Sequence, residues 1–179
     1  MNKPIYHMTH IDNLQNILSS GFLLCKNKLK NVKYTDVAIQ NIQDKRANRI
    51  VPKIPYGNLH DYVPFYFSTC TPMLYKLYKS GMQENMIFFM TDTNNVSQAQ
   101  LQYVFSDRHA IIQYAEFYND INELHKLDWN SISEKVWGYV PDTTKNKEEK
   151  EAELPDIREK KHAEFLVYQK IVYKKRVKS

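Results

Sequence analysis

Hydrophobic positions in the first quarter of this chain recur with the periods of short strands and helices. Apolar runs at residues 5–8 and 22–25 predict two strands. Between them, apolar residues at helical spacing predict a helix that Gly21 ends, and Thr9 and Asp12 have the spacing of a capping box at its start. The helical stripe consists of Ile11, Leu14, Ile17 and Leu18. The pattern therefore predicts strand, helix and strand in that order.

The middle of the chain carries boundary signals that are clearer than its periodicity. Residues 36–49 form a candidate helix with a thin apolar stripe, and residues 51–57 hold two prolines and a glycine, which indicates a loop. Thr71 is followed by a proline, which is the combination of an N-cap and a first helical position. A helix is therefore predicted over residues 73–80, with Gly81 at its end.

Strand and helix signals continue after this helix. Apolar runs predict strands at residues 86–90 and 103–105, the first of them buried. Residues 106–107 supply a cap for a helix that is predicted to extend to about residue 118. A short helix is predicted over residues 129–137. The predicted elements are therefore a mixture of α and β.

The last part of the chain changes from charged to apolar. Charged residues dominate residues 143–161, where Pro155 is expected to prevent one long helix. Residues 162–173 are rich in β-branched and aromatic residues and predict the final strand. Strand alternation places the carboxylate of Glu164 on one face of it. That face also carries His162, Leu166 and Tyr168.

Residues 59–74 combine properties that core strands and loops do not usually share. Four aromatic side chains fall within residues 62–67, while Pro64 and Pro72 interrupt the segment. Because proline cannot donate to a strand ladder, Pro64 indicates an edge, a bulge or a strand start. Two interpretations follow: a strand whose rings line a pocket, and an edge strand packed on a helix.

Composition limits the class of protein. Hydrophobic residues make up 42% of the chain and charged residues 25%, as in globular proteins. No apolar run approaches the roughly 18 residues of a membrane span, and the start lacks the regions of a signal peptide. Cys25 and Cys70 are too few for a disulfide framework and lack metal-ligand spacing. These features favour a reduced cytoplasmic protein without a bound metal.

The formal net charge of +5 is unevenly distributed. Residues 1–53 carry nine Lys or Arg and three Asp, whereas residues 54–144 carry five basic and ten acidic side chains. If the two ends of the chain meet in the fold, they form a basic face that suits phosphates. Thirteen Tyr and eight Phe add rings on which bases of single-stranded nucleic acid stack. The alternative is a solvated surface with an excess of Lys.

A few charged positions are candidates for chemistry. Glu164 lies in an apolar strand, so it either faces water at a sheet edge or takes part in function. His10 falls at a predicted helix start, which favours phosphate or carbonyl oxygens, and the alternative is a bond to its own backbone. Arg46 and Arg49 belong to a basic run, and most such runs are solvated helix faces. With four glycines and no glycine-rich phosphate loop, side chains and strand edges must hold any nucleotide.

Five segments of the chain, in order, carry a resemblance to a known family. They are residues 5–14, 45–47, 59–67 with 71–74, 105–110 and 163–164. Together they closely resemble the DarT family, toxins of toxin–antitoxin systems. The resemblance implies an ADP-ribosyltransferase fold, an α+β domain with a central, mostly antiparallel split β-sheet flanked by helices. The whole chain is expected to form this single domain, with a shortened basic C-terminal end.

The resemblance also implies an activity and a set of site residues. The family transfers ADP-ribose from NAD to a thymine base in single-stranded DNA. Glu164 matches its catalytic glutamate and Arg46 its active-site arginine, while His10 and Asn13 lie in the NAD-contact turn. Further contacts to NAD are expected from Tyr62, Phe65, Tyr66 and Met73. Contacts to DNA are expected from Lys45, Arg49, Tyr75 and His109.

Partners and location follow from the same resemblance. NAD is the co-substrate, no metal is expected, and the toxin would block replication in the cytoplasm, away from membranes and as a monomer. The partner would be a macrodomain antitoxin of the DarG type. Two alternatives stay open: an enzyme that modifies RNA or protein, since the acceptor loop near residues 142–161 is where such enzymes differ, and a catalytically silent nucleic-acid-binding relative. Only fifteen residues follow Glu164, ending in the basic stretch at residues 174–179, whereas members of the family usually continue for several dozen more.

Overall fold

The computed structural model describes residues 1–134, 144 and 146–173 of the chain. Within these residues, six antiparallel strands form one sheet and two short strands pair separately. The strands are β1 Pro4–His10, β2 Phe22–Leu24, β3 Tyr62–Tyr66, β4 Met86–Asp92, β5 Tyr103–Ser106, β6 Phe117–Tyr118, β7 Glu164–Tyr168 and β8 Lys170–Val172. The large sheet has the order β4-β1-β3-β7-β5-β6, and β2 pairs with β8. The predicted α+β class and antiparallel sheet are confirmed.

Six α-helices occur in the described residues. They are α1 Leu14–Ser20, α2 Gln40–Asn48, α3 Pro72–Lys79, α4 Thr93–Gln98, α5 Trp129–Ser133 and α6 Lys147–Lys160. The Thr71 side chain accepts a backbone N–H of α3, and Gly21 ends α1 with a left-handed φ of 73°, so both predicted boundaries are confirmed. At the first helical turn the cap is His10 rather than Thr9, because the His10 ring accepts the N–H of Asp12.

Strand β7 lies inside the sheet, and its side chains alternate between two apolar clusters. Phe165 packs on one face with Phe65 and Phe105. Leu166 packs on the opposite face with Val104. All five side chains are fully buried. The predicted alternation is confirmed for residues 164–168 and explains why β7 is apolar on both faces, whereas the single strand predicted over residues 162–173 divides at Gln169, with φ 60°, into β7 and β8.

The sheet is split between β1 and β3. Strand β1 pairs with β4 through seven residue pairs, but it shares only the pair Tyr6 and Tyr66 with β3. The Pro64 carbonyl points into this split and accepts a hydrogen bond from His7 Nδ1 at 2.8 Å. The missing proline N–H therefore faces a gap rather than a ladder, which explains how Pro64 fits a strand with neighbours on both sides. The expected split of the sheet is confirmed.

Residues between β5 and β6 form a loop, and the helix predicted there is wrong. The backbone N–H of Asp107 donates to the Glu116 carbonyl at 3.2 Å, and the Asp107 carboxylate accepts the Glu116 N–H at 2.9 Å. Tyr118 then pairs with Phe105 in the sheet. A side chain that can cap a helix can equally accept an N–H group of a loop. Here the Asp107 carboxylate accepts such an N–H and closes the loop between β5 and β6.

Helix α6 continues through Pro155, so the prediction that this proline prevents a single helix is wrong. A proline inside a helix removes one N–H···O bond and leaves the more distant ones intact. Asn146 and Glu149 form a capping box at the N-terminus of the helix. Near its C-terminus, Asp156 and Lys160 form an ion pair at 2.6 Å. These contacts stabilise the helix on both sides of the proline.

Smaller differences concern the outer elements. Strand β4 is a half-exposed edge strand, with Met90 63% exposed, rather than the buried strand that was predicted. Helix α4 was not predicted. The helix predicted at residues 129–137 is present as α5, while residues 135–137 and the basic tail at 174–179 lie outside the described residues. No helix in the described ranges is long and apolar enough to cross a membrane.

Replacing Phe165 by Ala tests the central position of β7. The Phe165 ring is fully buried and packs against the rings of Phe67, Tyr103 and Phe105. We expect Phe165→Ala to lower the free energy of unfolding by about 3–5 kcal/mol in urea titrations followed by tryptophan fluorescence. The control Tyr78→Ala, at a 64% exposed ring, should change it by less than about 0.5 kcal/mol. Equal effects of the two substitutions would contradict this placement.

Candidate active site

A cavity of about 380 Å³ opens at the split between β1 and β3. On β3 the lining residues are the alternate positions Tyr62, Pro64 and Tyr66, and β1 contributes His7 and Thr9. The volume falls within the roughly 300–1,000 Å³ that is usual for ligand pockets. Of the two interpretations of the aromatic segment, the strand that lines a pocket is confirmed.

Two helices complete much of the wall. Arg46 reaches the cavity from α2, and Met73 and Lys76 reach it from α3. Asn58 caps the turn before β3, and His60 of that turn also lines the cavity, where its Nε2 lies 2.9 Å from the side-chain oxygen of Gln43. The wall thus combines apolar, cationic and neutral polar groups, as a nucleotide requires.

The segment between β2 and α2 folds over one side of the cavity. Lys26 donates hydrogen bonds to the Tyr34 hydroxyl and to the Asp36 carboxylate. The Asn13 side chain binds both backbone groups of Thr35, accepting its N–H at 2.8 Å and donating to its carbonyl at 2.9 Å. All five residues line the cavity. Asn13, predicted as an NAD contact, therefore lies at the cavity and holds part of its wall in place.

Glu164 lies beside the cavity with its side chain fully buried. Its Oε1 accepts hydrogen bonds from Arg46 Nη1 at 3.1 Å, from His109 Nδ1 at 2.9 Å and from the Ala110 N–H at 3.1 Å. Its Oε2 accepts from Arg46 Nη1 at 2.8 Å. Arg46, His109 and the cross-strand partner Tyr66 line the cavity, whereas the carboxylate itself does not. The structure therefore brings together four of the predicted site residues, namely Glu164, Arg46, His109 and Tyr66.

The surroundings of Glu164 keep its carboxylate ionised. Burial alone would raise the pKa of Glu164, but the charge of Arg46 and the hydrogen bond from His109 outweigh it and lower the pKa from 4.5 to about 2. Tyr66 shows the opposite effect, because burial and the neighbouring Glu164 charge raise the pKa of its phenol. At neutral pH the site therefore holds a carboxylate next to a neutral phenol.

Arg46 has hydrogen-bonding capacity that the described residues do not use. Its Nη2 atom is buried and has no hydrogen-bond partner in the part of the chain that the structure describes. A buried donor without a partner costs about 1–3 kcal/mol. Because Arg46 also lines the cavity, an oxygen atom of a bound ligand can satisfy this donor. One guanidinium can thus bind Glu164 and an anionic ligand together.

The loop that carries His109 is anchored from both sides. The guanidinium of Arg49 donates to the carbonyls of Ala110 at 3.3 Å and of Ile112 at 3.0 Å. Arg108 forms ion pairs with two carboxylates of α6 at 3.0 and 3.3 Å. Arg49, predicted as a DNA contact, is absent from the cavity wall and binds this loop instead. In this structure the side chain of Arg49 holds the loop backbone in place.

His162 is a cavity residue to which the sequence assigned no role. Its ring and the ring of His109 lie against each other with centroids 5.1 Å apart, and both line the cavity. Burial and the neighbouring His109 lower the pKa of His162 to about 3, so it is neutral at neutral pH. The strand alternation that placed it on the face of Glu164 was the signal that pointed to this position.

His7, rather than the predicted His10, lies in the cavity wall. Because the Pro64 carbonyl can only accept, His7 Nδ1 carries the proton of their hydrogen bond, and burial lowers the pKa of His7. Its neutral ring therefore keeps Nε2 as an acceptor. The His10 ring accepts the N–H of Asp12 at 3.2 Å, the backbone contact that was the alternative for this residue. The role of His10 as an NAD contact stays a prediction, and in this structure its ring lies at the first helical turn and outside the cavity wall.

Of the other predicted contact residues, some line the cavity and some lie elsewhere. The expected NAD contacts Tyr62, Tyr66 and Met73 line the cavity. Phe65 occupies the other face of β3 and is fully buried in the apolar core, so the structure does not bring it to the cavity. Lys45 and Tyr75 are exposed and lie outside the cavity wall. Over the described ranges, no group of three or more His, Cys, Asp or Glu side chains is arranged to hold a metal ion.

The sequence of this chain is similar to those of known proteins. The model of the family described as ssDNA thymidine ADP-ribosyltransferase, DarT, matches residues 6–175. A DNA ADP-ribosyl transferase of Thermus sp. (strain 2.9) is 42% identical over 170 residues, which cover 92% of this chain and 74% of that protein.

Two solved structures are also similar to this chain. Thermus sp. 2.9 DarT in complex with ADP-ribosylated ssDNA superposes with a TM-score of 0.83 and 39% identity, covering 95% of this chain and 77% of the other. Thermus sp. 2.9 DarT in complex with NAD+ gives a TM-score of 0.79 and 38% identity over the same shares. The family match, the identity and the coverage agree with the geometry of the site. This chain belongs to the ssDNA thymidine ADP-ribosyltransferase family, DarT.

Proposed function

We propose that this chain transfers ADP-ribose from NAD to thymidine bases in single-stranded DNA. The observation that carries the proposal is the ionised carboxylate of Glu164, buried directly behind the cavity wall and held there by the wall residues Arg46 and His109. The complexes of the Thermus relative with NAD+ and with ADP-ribosylated ssDNA support the two substrates. The residues of this chain supply the chemistry.

The reaction breaks the bond between ribose C1″ and the nicotinamide nitrogen and forms a bond from that carbon to the thymine ring nitrogen. Nicotinamide leaves with the bonding electron pair, and the thymine nitrogen releases its proton to water. Positive charge develops on the ribose between these events, and a nearby carboxylate stabilises it. Glu164, with a pKa of about 2, supplies the negative charge of that carboxylate at neutral pH and can accept a hydrogen bond from a ribose hydroxyl.

The cavity offers cations for the NAD pyrophosphate and apolar surface for its rings. The unused Nη2 of Arg46 can donate to a phosphate oxygen, and Lys76 places a second positive charge at the wall, whereas the charge of Lys26 is already paired with Asp36. Tyr66 and Met73 provide ring and thioether surface for nicotinamide or for the acceptor base. His7 Nε2 is an acceptor for a ligand hydroxyl or amide. We assign these roles as part of the proposal.

Substrate must rearrange the wall to reach the carboxylate. Glu164 is fully buried, and Arg46 and Tyr66 line the cavity next to it. We infer that the Arg46 guanidinium shifts toward the bound pyrophosphate, which opens a path to Oε2. The same shift would give the Nη2 atom its missing partner.

The proposal extends to the biological role. Attachment at the thymine ring nitrogen removes a base-pairing donor, so the modified base blocks replication. The chain would act as a cytoplasmic toxin and as one monomeric domain, at single-stranded DNA exposed during replication. A macrodomain antitoxin of the DarG type, able to remove ADP-ribose, would be its partner.

Glu164→Gln tests the proposed function directly. The amide keeps the shape of the side chain but removes the negative charge, so we expect transfer to fall by about 100- to 1,000-fold or more. The measurement is the mass shift of a thymidine-containing oligonucleotide incubated with NAD, with RNA and protein acceptors in parallel. NAD binding, measured by calorimetry, should persist.

The matched control for this variant is Glu84→Gln, at an exposed carboxylate outside the cavity wall. It should keep full activity. The new amide of Glu164→Gln also places N–H groups near the donors of Arg46 and His109, so the unfolding midpoint of each variant must be measured to separate folding from chemistry. Full transfer by folded Glu164→Gln would sink the assignment, as would labelling of RNA or protein but not of DNA.

A pair of histidine variants tests which histidine meets the ligand. We expect His7→Gln to raise the KM for NAD about tenfold, the loss of one hydrogen bond of about 1.4 kcal/mol. His10→Gln should change the KM by less than about twofold, because the His10 ring binds its own backbone turn. The opposite ranking would return the role to His10.

The buried neutral ring of His162 makes stability depend on pH. Its pKa is about 3 in the folded protein against 6.5 when unfolded, so the unfolded state binds the proton first and stability falls as the pH drops from 6.5 toward 3. Between pH 7 and pH 5, His162→Gln should lose about 2 kcal/mol less unfolding free energy than the wild type. Urea titrations at the two pH values measure this, and parallel pH curves of the two proteins would contradict it.

A further inference from the structure

Helix α3 carries an outward-facing pair of tyrosines beside the cavity. Tyr75 is 53% exposed and Tyr78 is 64% exposed, and the two are one helical turn apart. Lys79 Nζ lies 4.7 Å from the centre of the Tyr75 ring, so the same stripe holds a cation over an aromatic face. Two large rings exposed close together on a helix of eight residues indicate a surface that binds a partner.

The other faces of α3 fix this stripe relative to the cavity. Leu77 is 4% exposed and anchors the helix to the protein. Pro72, Met73 and Lys76 line the cavity. Because Lys76 lies next to Tyr75 on the helix surface, the stripe begins where the cavity wall ends. Any polymer that enters the cavity from this side passes over α3.

The positive charge of α3 indicates which kind of polymer can bind there. No Asp or Glu occurs between Asp61 and Glu84, so α3 and its flanking turns carry lysines without acidic neighbours in sequence. Lys76 and Lys79 therefore favour an anionic partner. Exposed rings beside cations suit the alternating bases and phosphates of a single strand, because bases stack and phosphates pair.

We propose that the outer face of α3, made of Tyr75, Tyr78, Lys76 and Lys79, binds the nucleotides that flank the target thymidine. The inference rests on the proposed function and adds a subsite to it. Tyr75 and Tyr78 are separated by about 4.5 Å along the helix axis, which lets neighbouring bases stack on the two rings. Lys76 and Lys79 pair with the phosphates between those bases.

The test compares the double variant Tyr75→Ala/Tyr78→Ala with Tyr75→Phe/Tyr78→Phe. Fluorescence anisotropy measures the Kd for a labelled single strand of about 20 nucleotides with one central thymidine. Loss of stacking on both rings should weaken binding of the alanine variant by about 10- to 100-fold or more, since stacking contributes about 1–3 kcal/mol per base. The phenylalanine variant keeps both rings and should bind within about twofold of the wild type.

Catalysis supplies a second measurement. For the alanine variant, the ratio of kcat/KM on the long strand to that on a trinucleotide centred on thymidine should fall at least tenfold, because a trinucleotide barely reaches α3. Lys79→Gln should reduce the slope of log Kd against log salt by about 0.7, the value for one phosphate contact on a single strand.

Distinct outcomes separate this inference from the proposed function. A wild type that binds DNA but modifies none would overturn the proposed function, while the anisotropy difference between the alanine and phenylalanine variants would still decide the role of α3. Wild-type binding by the folded alanine variant would overturn the inference and leave this face for a protein partner. An equal loss on the trinucleotide would also overturn it, because the tyrosines would then act at the cavity itself.

Discussion

The buried contact between Arg46 and Glu164 is the interaction on which the site depends. It joins helix α2 to strand β7, across 118 positions of sequence. An ionised carboxylate inside an apolar sheet would cost several kcal/mol without compensation, and removing either partner would leave the other charge uncompensated. Two further donors, His109 and the Ala110 N–H, complete the shell around the carboxylate. The sheet can therefore hold a charged group at the start of β7, directly behind the cavity wall.

The split between β1 and β3 decides where that ligand can approach. Strand β3 is fully paired with β7 but leaves β1 after the pair Tyr6 and Tyr66. Pro64 has no N–H to offer the missing ladder, and the ring of His7 occupies its carbonyl. The gap becomes a cavity because α2, α3 and the segment that begins at Lys26 close over it. The same arrangement sets α3 at the edge of the cavity, where its exposed tyrosines continue the surface outward.

Long-range contacts also position His109, the second side chain that binds Glu164. The two predictions made from local sequence rules for this region were wrong. His109 sits on a loop that the capping signal of Asp107 predicted to be a helix. Arg108 ties this loop to carboxylates 48 and 51 positions further along the chain. Those carboxylates lie on α6, which Pro155 was predicted to interrupt. Neither rule is wrong as local chemistry, but each was outweighed by contacts that no short window of sequence contains.

The sequence by itself determined the features that depend on local geometry. The two-residue period of β7 and the costly carboxylate of Glu164 within it follow from side-chain direction and solvation. The two-residue alternation of side chains along a strand also predicts that Phe65 and Tyr66 point to opposite faces of the sheet. It does not predict which of the two faces meets the cavity. Only the tertiary structure decided this, and with it the position of His7 in the cavity wall, because the cavity forms only where distant segments pack against the split between β1 and β3.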